Sequence, residues 1–166
     1  MAVDSSKFTQ TVQQATNFEK IANAFAELAK PHVGAKLLTL TRIDYQHQLA
    51  ERIYSNMPDA YPVSGTKPMV KNSWAEHVLD NAQIFRSNTL EGLAEVFSDF
   101  ELIQSLGCES VLNFPVSCAG QVIGTVNFLH EAGFYNEPKE ALANELYTPA
   151  LTCFLAQSHL VKSSHG

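Results

Sequence analysis

The chain has 166 residues, of which 45% are apolar and 17% charged, with a net charge of −6. This is the profile of one folded domain with a real core, not of a disordered segment. No basic cluster offers a footprint for nucleic acid, and no apolar run reaches the roughly 18 residues of a membrane span, so neither partner is expected. The first ten residues, MAVDSSKFTQ, hold no basic stretch leading into an apolar core, so no secretory signal is expected. Three cysteines, Cys108, Cys118 and Cys153, form no CxxC pair, and none of the six histidines pairs with a cysteine at ligand spacing. A cytoplasmic protein with no metal and no cofactor is the expectation.

In chain order, a weak helical pattern runs through Phe8, Val12 and Ala15. Thr16-Asn-Phe-Glu19 matches a capping box, and Phe18, Ile21, Ala22, Phe25, Leu28 and Ala29 then mark one face of a helix that Pro31 and Gly34 end. Lys36 to Ile43 and Leu49 to Asn56 read as a hairpin around the polar turn Asp44-Tyr45-Gln46-His47, with Arg52 and Tyr54 on one strand face. Met57 to Asn72 reads as a long irregular loop with three prolines and a glycine, and such loops often carry function. Ser73 is read as the N-cap of a short helix, Trp74 to Leu79. A short strand, Gln83 to Arg86, follows. One or two helical segments then fill Thr89 to Leu106. After a second hairpin, one last helix is expected from Glu137-Pro138, kinked by Pro149, which cannot donate to the Glu145 carbonyl. Its apolar positions include Leu142, Leu146, Ala150, Cys153, Phe154 and Val161, widened by Leu151 and Leu155; Cys153 reads as packing. The fold class is α+β: a central antiparallel sheet with terminal helices on one face.

The second hairpin carries the question of function. Its strands hold one asparagine each, Asn113 and Asn127, and buried amides are costly unless hydrogen-bonded. Gly120 suits the left-handed position of a three-residue loop, which pairs Ser117 with Gln121 and sets Asn113 opposite Thr125 and Asn127 opposite Val111. Both asparagines then share a face. A two-residue loop would put them on opposite faces. One face reads Leu112, Phe114, Val116, Val122, Gly124, Val126 and Phe128, which is core. The other reads Val111, Asn113, Pro115, Ile123, Thr125, Asn127 and Leu129, a mix that suits a small-molecule pocket or a half-exposed sheet surface.

"LGCESVLNFPV…GQVIGTVNFLH…FYNEP" resembles the GAF domain, and the element order fits from about Phe18 to about Leu160. The chain also resembles short stand-alone bacterial GAF proteins in Tyr61-Pro62…Gly65-Thr66-Lys67, Trp74 and Phe97-Ser98-Asp99…Ile103. The resemblance implies a single domain over residues 1–166, with a core at about 17–160 and an N-terminal helical extension over 1–16. It implies a ligand pocket on the sheet face opposite the terminal helices, roofed by the segment between the second strand and the Cys108 strand. It also implies homodimerisation through the terminal helices. No output domain is expected within these residues.

Each candidate has two readings. Arg52 is a carboxylate or phosphate clamp or a surface charge. Tyr61 and Lys67 belong to the pocket roof or to a solvated loop. Trp74 walls the pocket or anchors its small helix. Asp99 caps a helix or meets a cationic ligand group. Tyr54, Asn113, Thr125 and Asn127 complete the expected ligand-binding set, and no catalytic residue is assigned. The enzymatic alternative is the branch of small GAF proteins that reduces free methionine sulfoxide with paired thiols. In that branch the attacking cysteine lies further upstream of the strand proline than Cys108 lies from Pro115, and Met57 to Gly107 contains no cysteine. Bilin-binding members anchor their chromophore at a cysteine followed by histidine, whereas Cys108 precedes Glu109 and Cys118 precedes Ala119. A sensor that binds an unidentified small molecule is the expected function, with a structural dimerisation module as a third possibility.

Overall fold

The computed structural model describes residues 3–165; residues 1, 2 and 166 of the expected 1–166 domain lie outside it. Helices α1 (Ser6–Gln14) and α2 (Phe18–Ala29) open the chain. The N-cap of α2 is Asn17, whose side chain accepts from Lys20 N at 3.0 Å, so the cap sits one residue beyond the expected Thr16, and lysine at the third helical position replaces the glutamate that a capping box needs. Strands β1 (Leu37–Asp44), β2 (Leu49–Ser55) and β3 (Thr66–Pro68) follow; β3 lies inside the segment that the sequence left irregular. Next come α3 (Ser73–Ala75), running straight into a π-helical turn (Glu76–Asp80), then β4 (Phe85–Ser87), α4 (Leu90–Ala94) and α5 (Phe100–Ser105). Asn72, not Ser73, caps α3, accepting from Ala75 N at 2.8 Å. The long hairpin β5 (Ser110–Cys118) and β6 (Gln121–His130) leads to α6 (Glu137–Glu145) and α7 (Tyr147–His165).

All six strands pair antiparallel in the order β3-β2-β1-β6-β5-β4. The α+β architecture is as expected. Helices α1, α2 and α7 pack together on one face, around a core that includes Phe25, Leu40, Phe114, Phe128, Tyr135 and Phe154. Cys153 lies in this core, fully buried. Gly124 lets α7 approach: a side chain there would run into the Phe154 ring. The expected single kinked helix is instead two, broken at Leu146 (φ −90, ψ 7). Pro149 therefore falls in the first turn of α7, where its missing N–H has no intrahelical partner to lose. A smaller apolar cluster, including Leu37, Tyr61, Leu93, Ile103, Val111 and Leu129, lies on the opposite face under α4 and α5. No helix among the described residues is long and apolar enough to cross a membrane.

The β5–β6 hairpin corrects one expectation and keeps its consequence. The turn has two residues, not three: Ala119 (φ 53) and Gly120 (φ 83) are both left-handed, as a type I′ turn requires. Cys118 pairs with Gln121 and Ser117 with Val122. That register alone would send the asparagines to opposite faces. A β-bulge at Ile123 then shifts the pairing, so Val116 meets Gly124 and Asn113 stands directly across from Asn127. The extra residue restores the parity that the shorter turn removed. Ile123 leaves the asparagine face and packs against the helix-side core.

Ala119 has the wrong residue type for its conformation, since a Cβ in the left-handed region is strained. Ala119→Asn should therefore raise stability by about 0.5–1 kcal/mol, read as a higher urea midpoint at unchanged slope. A three-residue loop, with a right-handed residue at 119, would show no gain.

Candidate functional site

The sheet face opposite the terminal helices encloses a cavity of about 560 Å³, within the usual range for small-molecule sites. Its floor is the centre of the sheet: Thr39 and Thr41 from β1, Asn113 from β5, Thr125 and Asn127 from β6. Leu37, Ile43, Val111 and Leu129 add apolar floor, and Trp74, Leu79, Val96, Phe97 and Ile103 wall it. Tyr61, Lys67, Pro68, Met69, Val70 and Asp99 roof it.

One chain of hydrogen bonds crosses the floor. Trp74 Nε1 donates to Asn113 Oδ1 at 3.0 Å. Asn113 Nδ2 donates to Asn127 Oδ1 at 2.8 Å. Asn127 Nδ2 gives its two hydrogens to Thr39 Oγ1 at 3.1 Å and Thr41 Oγ1 at 3.2 Å. This answers why two amides can stand in these strands: each satisfies the other, and the ends are closed by an indole and two hydroxyls. Register makes the contact, because directly opposed residues of an antiparallel pair are nearest neighbours. Thr39 and Thr41 are cavity-floor positions that the sequence reading missed. Their alternation with Leu38 and Leu40 was the available signal.

A second group ties the roof together. Tyr61 Oη donates to Asp99 Oδ2 at 2.6 Å, and Lys67 Nζ stands 3.7 Å from the same oxygen. Burial, and after it the bond to Asp99 and that residue's charge, push the Tyr61 phenol well up, so it stays a neutral donor. Asp99 holds the N-cap position of α5 but makes no cap hydrogen bond, so its carboxylate serves the cavity and not the helix. Its Oδ1 is buried and has no partner, alone in this among the buried side-chain polar atoms of the described residues. Arg52 lies over the Tyr61 ring, 4.7 Å from its centroid, and gives one N–H to Pro62 O at 3.1 Å. Burial lowers its pKa, and the nearby Asp99 carboxylate works against that.

The structure thus brings Arg52, Tyr61, Lys67, Trp74, Asp99, Asn113, Thr125 and Asn127 to one cavity. Tyr54 is the exception. Leu40 pairs with Tyr54 but Thr41 pairs with Arg52, so Ile53 is an extra, bulged residue in β2. The bulge turns Tyr54 into the helix-side core, 7% exposed, while Arg52 stays on the cavity face. The expectation that the two share a face fails for that reason. Arg52 is anchored through its backbone as well: its N–H donates to Gly65 O at 2.9 Å and its carbonyl accepts from Ser64 N at 2.8 Å, which hangs the roof segment on β2. Pro115 and Ile123 do not line the cavity.

No family model matches the sequence, and no curated protein matches it. Solved structures do match. The GAF domain of a phosphoenolpyruvate-protein phosphotransferase from Coxiella burnetii is 16% identical, over 96% of this chain and 94% of that chain, at a TM-score of 0.69. A phycoerythrobilin-bound GAF domain from a cyanobacterial phytochrome is 14% identical, over 94% of each chain, at 0.68. The GAF domain of a two-component sensor histidine kinase from Bacillus halodurans is 14% identical, over 87% of this chain and 99% of that chain, at 0.67. At these identities the likeness concerns architecture: this chain has the GAF-domain fold.

The floor chain predicts strong coupling. Asn113→Leu strands the Trp74 N–H and Asn127 Oδ1, and Asn127→Leu strands Asn113 Nδ2 and both threonines, so each should cost about 1–3 kcal/mol. The double variant should cost less than the sum by about 1 kcal/mol or more in urea unfolding. Additive losses would contradict the direct bond.

Proposed function

We propose that this chain is a small-molecule-binding GAF module, with the cavity over Asn113 and Asn127 as its binding site. The observation that carries the reading is the composition of that cavity. Its walls are largely apolar, and the polar groups at the centre of its floor are oriented by bonds to one another, which suits a ligand site better than a solvated cleft. The GAF domains it resembles in fold come from a sensor kinase, a phytochrome and a phosphotransferase, and a regulatory role is in keeping with that company. Homodimerisation through the terminal helices belongs to the same proposal; Leu155 on α7, 49% exposed, offers apolar surface for it.

Thiol chemistry is the weaker alternative. None of the three cysteines lines the cavity. Burial pushes the Cys108 thiol up, and that of Cys153 to about 12, which withholds the thiolate that a nucleophile needs. Cys118 stands at the β5–β6 turn, a whole strand away from Cys108.

The test is a fragment screen by ligand-observed NMR on the native chain and on Thr125→Phe. Thr125 is buried in the floor, and a ring there would fill the cavity from below. Fragments should bind the native protein, and most should lose at least tenfold in affinity with Thr125→Phe, about 1.4 kcal/mol. Equal binding to both forms, or none to either, would overturn the proposal.

A further inference from the structure

Asp99 and Arg52 stand in the same cavity as separated, incompletely used charges. Asp99 gives Oδ2 to Tyr61 and Lys67 and leaves Oδ1 buried without a donor. A buried carboxylate oxygen with no donor is costly, and native proteins rarely keep one without a use. Arg52 commits one of its five N–H donors, to Pro62 O. The two charges do not form an ion pair, because the Tyr61 ring lies between them, stacked under the guanidinium and bonded to the carboxylate. Tyr61 thus touches both groups, and a cationic donor and an anionic acceptor with unmet hydrogen-bonding capacity stand in one cavity without pairing to each other.

The charge balance narrows the ligand. Arg52 and Lys67 against Asp99 leave the cavity with one net positive charge, which disfavours a simple cation. A simple anion would answer Arg52 but leave Asp99 Oδ1 unpaired. We propose that the cavity takes a zwitterion with an apolar body: an ammonium group donating to Asp99 Oδ1, a carboxylate on the uncommitted N–H groups of Arg52, and the apolar part against the edge-packed Trp74–Phe97 pair, whose centroids lie 6.3 Å apart. The free amino acids with apolar side chains are the simplest members of this class. The inference rests on the cavity being a small-molecule site.

The test uses matched trios in calorimetry on the full chain: phenylalanine, tryptophan, leucine and methionine, each beside its decarboxylated amine and its deaminated acid. In at least one trio the zwitterion should bind about tenfold tighter than either singly charged analogue, the scale of one charge-assisted hydrogen bond. Asp99→Asn keeps an oxygen for Tyr61 but removes the charge, and should erase the advantage over the deaminated acid. Arg52→Gln should erase the advantage over the amine. Analogues that bind as tightly as their zwitterions, or a preference that survives both substitutions, would overturn the proposal. If no trio binds a protein that still loses its fragments on Thr125→Phe, the zwitterion is overturned and the binding module stands. If fragments fail as well, both fall.

Discussion

The direct pairing of Asn113 with Asn127 across β5 and β6 is the constraint around which the cavity is built. Two amides side by side on a mostly apolar sheet face are tolerable only if every strong donor and acceptor between them is used. Their mutual bond uses one of each. The remaining groups recruit partners from elements far apart in sequence: Trp74 from the segment after the roof loop, and Thr39 and Thr41 from the neighbouring strand. The same bonds that relieve the amides therefore set the position of the wall and tie three central strands at one level. The β6 bulge belongs to this constraint, because without Ile123 as an extra residue the type I′ turn would place the two amides on opposite faces.

The roof follows a different logic. Tyr61 from the loop before β3 and Lys67 from β3 itself lie more than thirty positions before Asp99 in the chain, and they meet at one of its carboxylate oxygens. Short segments such as β3 and α5 have little stability of their own. Holding them over the sheet takes a polar clip and a small apolar cluster, and Asp99 supplies the clip because it does not cap the helix it precedes. The floor is cross-linked by its own hydrogen bonds, whereas the roof hangs from a few contacts.

Much of this was legible in the sequence. Helical periodicity, the strand alternation and the two asparagines lead to the right layers and to the right sheet face, and eight of the nine expected ligand-binding residues line the cavity. What was not legible is the set of bulges. A bulge is one residue inserted into a ladder, and nothing in the composition around Ile123 or Ile53 announces it. At β6 the bulge cancels the error in the expected turn, so the asparagine face comes out right by a route the sequence did not indicate. At β2 nothing cancels, and Tyr54 goes to the opposite core from Arg52. Strand β3 was hidden because three residues that follow a glycine and end in a proline carry no periodicity. The capping positions at Asn17 and Asn72 each differ by one residue from Thr16 and Ser73, where neighbouring residues offer nearly equal oxygen acceptors.

The central claim is that the floor chain from Trp74 through Asn113 to Asn127 faces the ligand. The most direct measurement is a ¹⁵N-resolved NMR titration with any fragment that binds the native protein. It would follow the Trp74 indole N–H and the side-chain NH₂ groups of Asn113 and Asn127 together with the backbone amides of α2 and α7. The account predicts that the three floor signals move in step with saturation of the fragment while the helix-face amides stay still. Floor signals that do not move at saturation, with shifts confined to the helices or the outer loops, would contradict it.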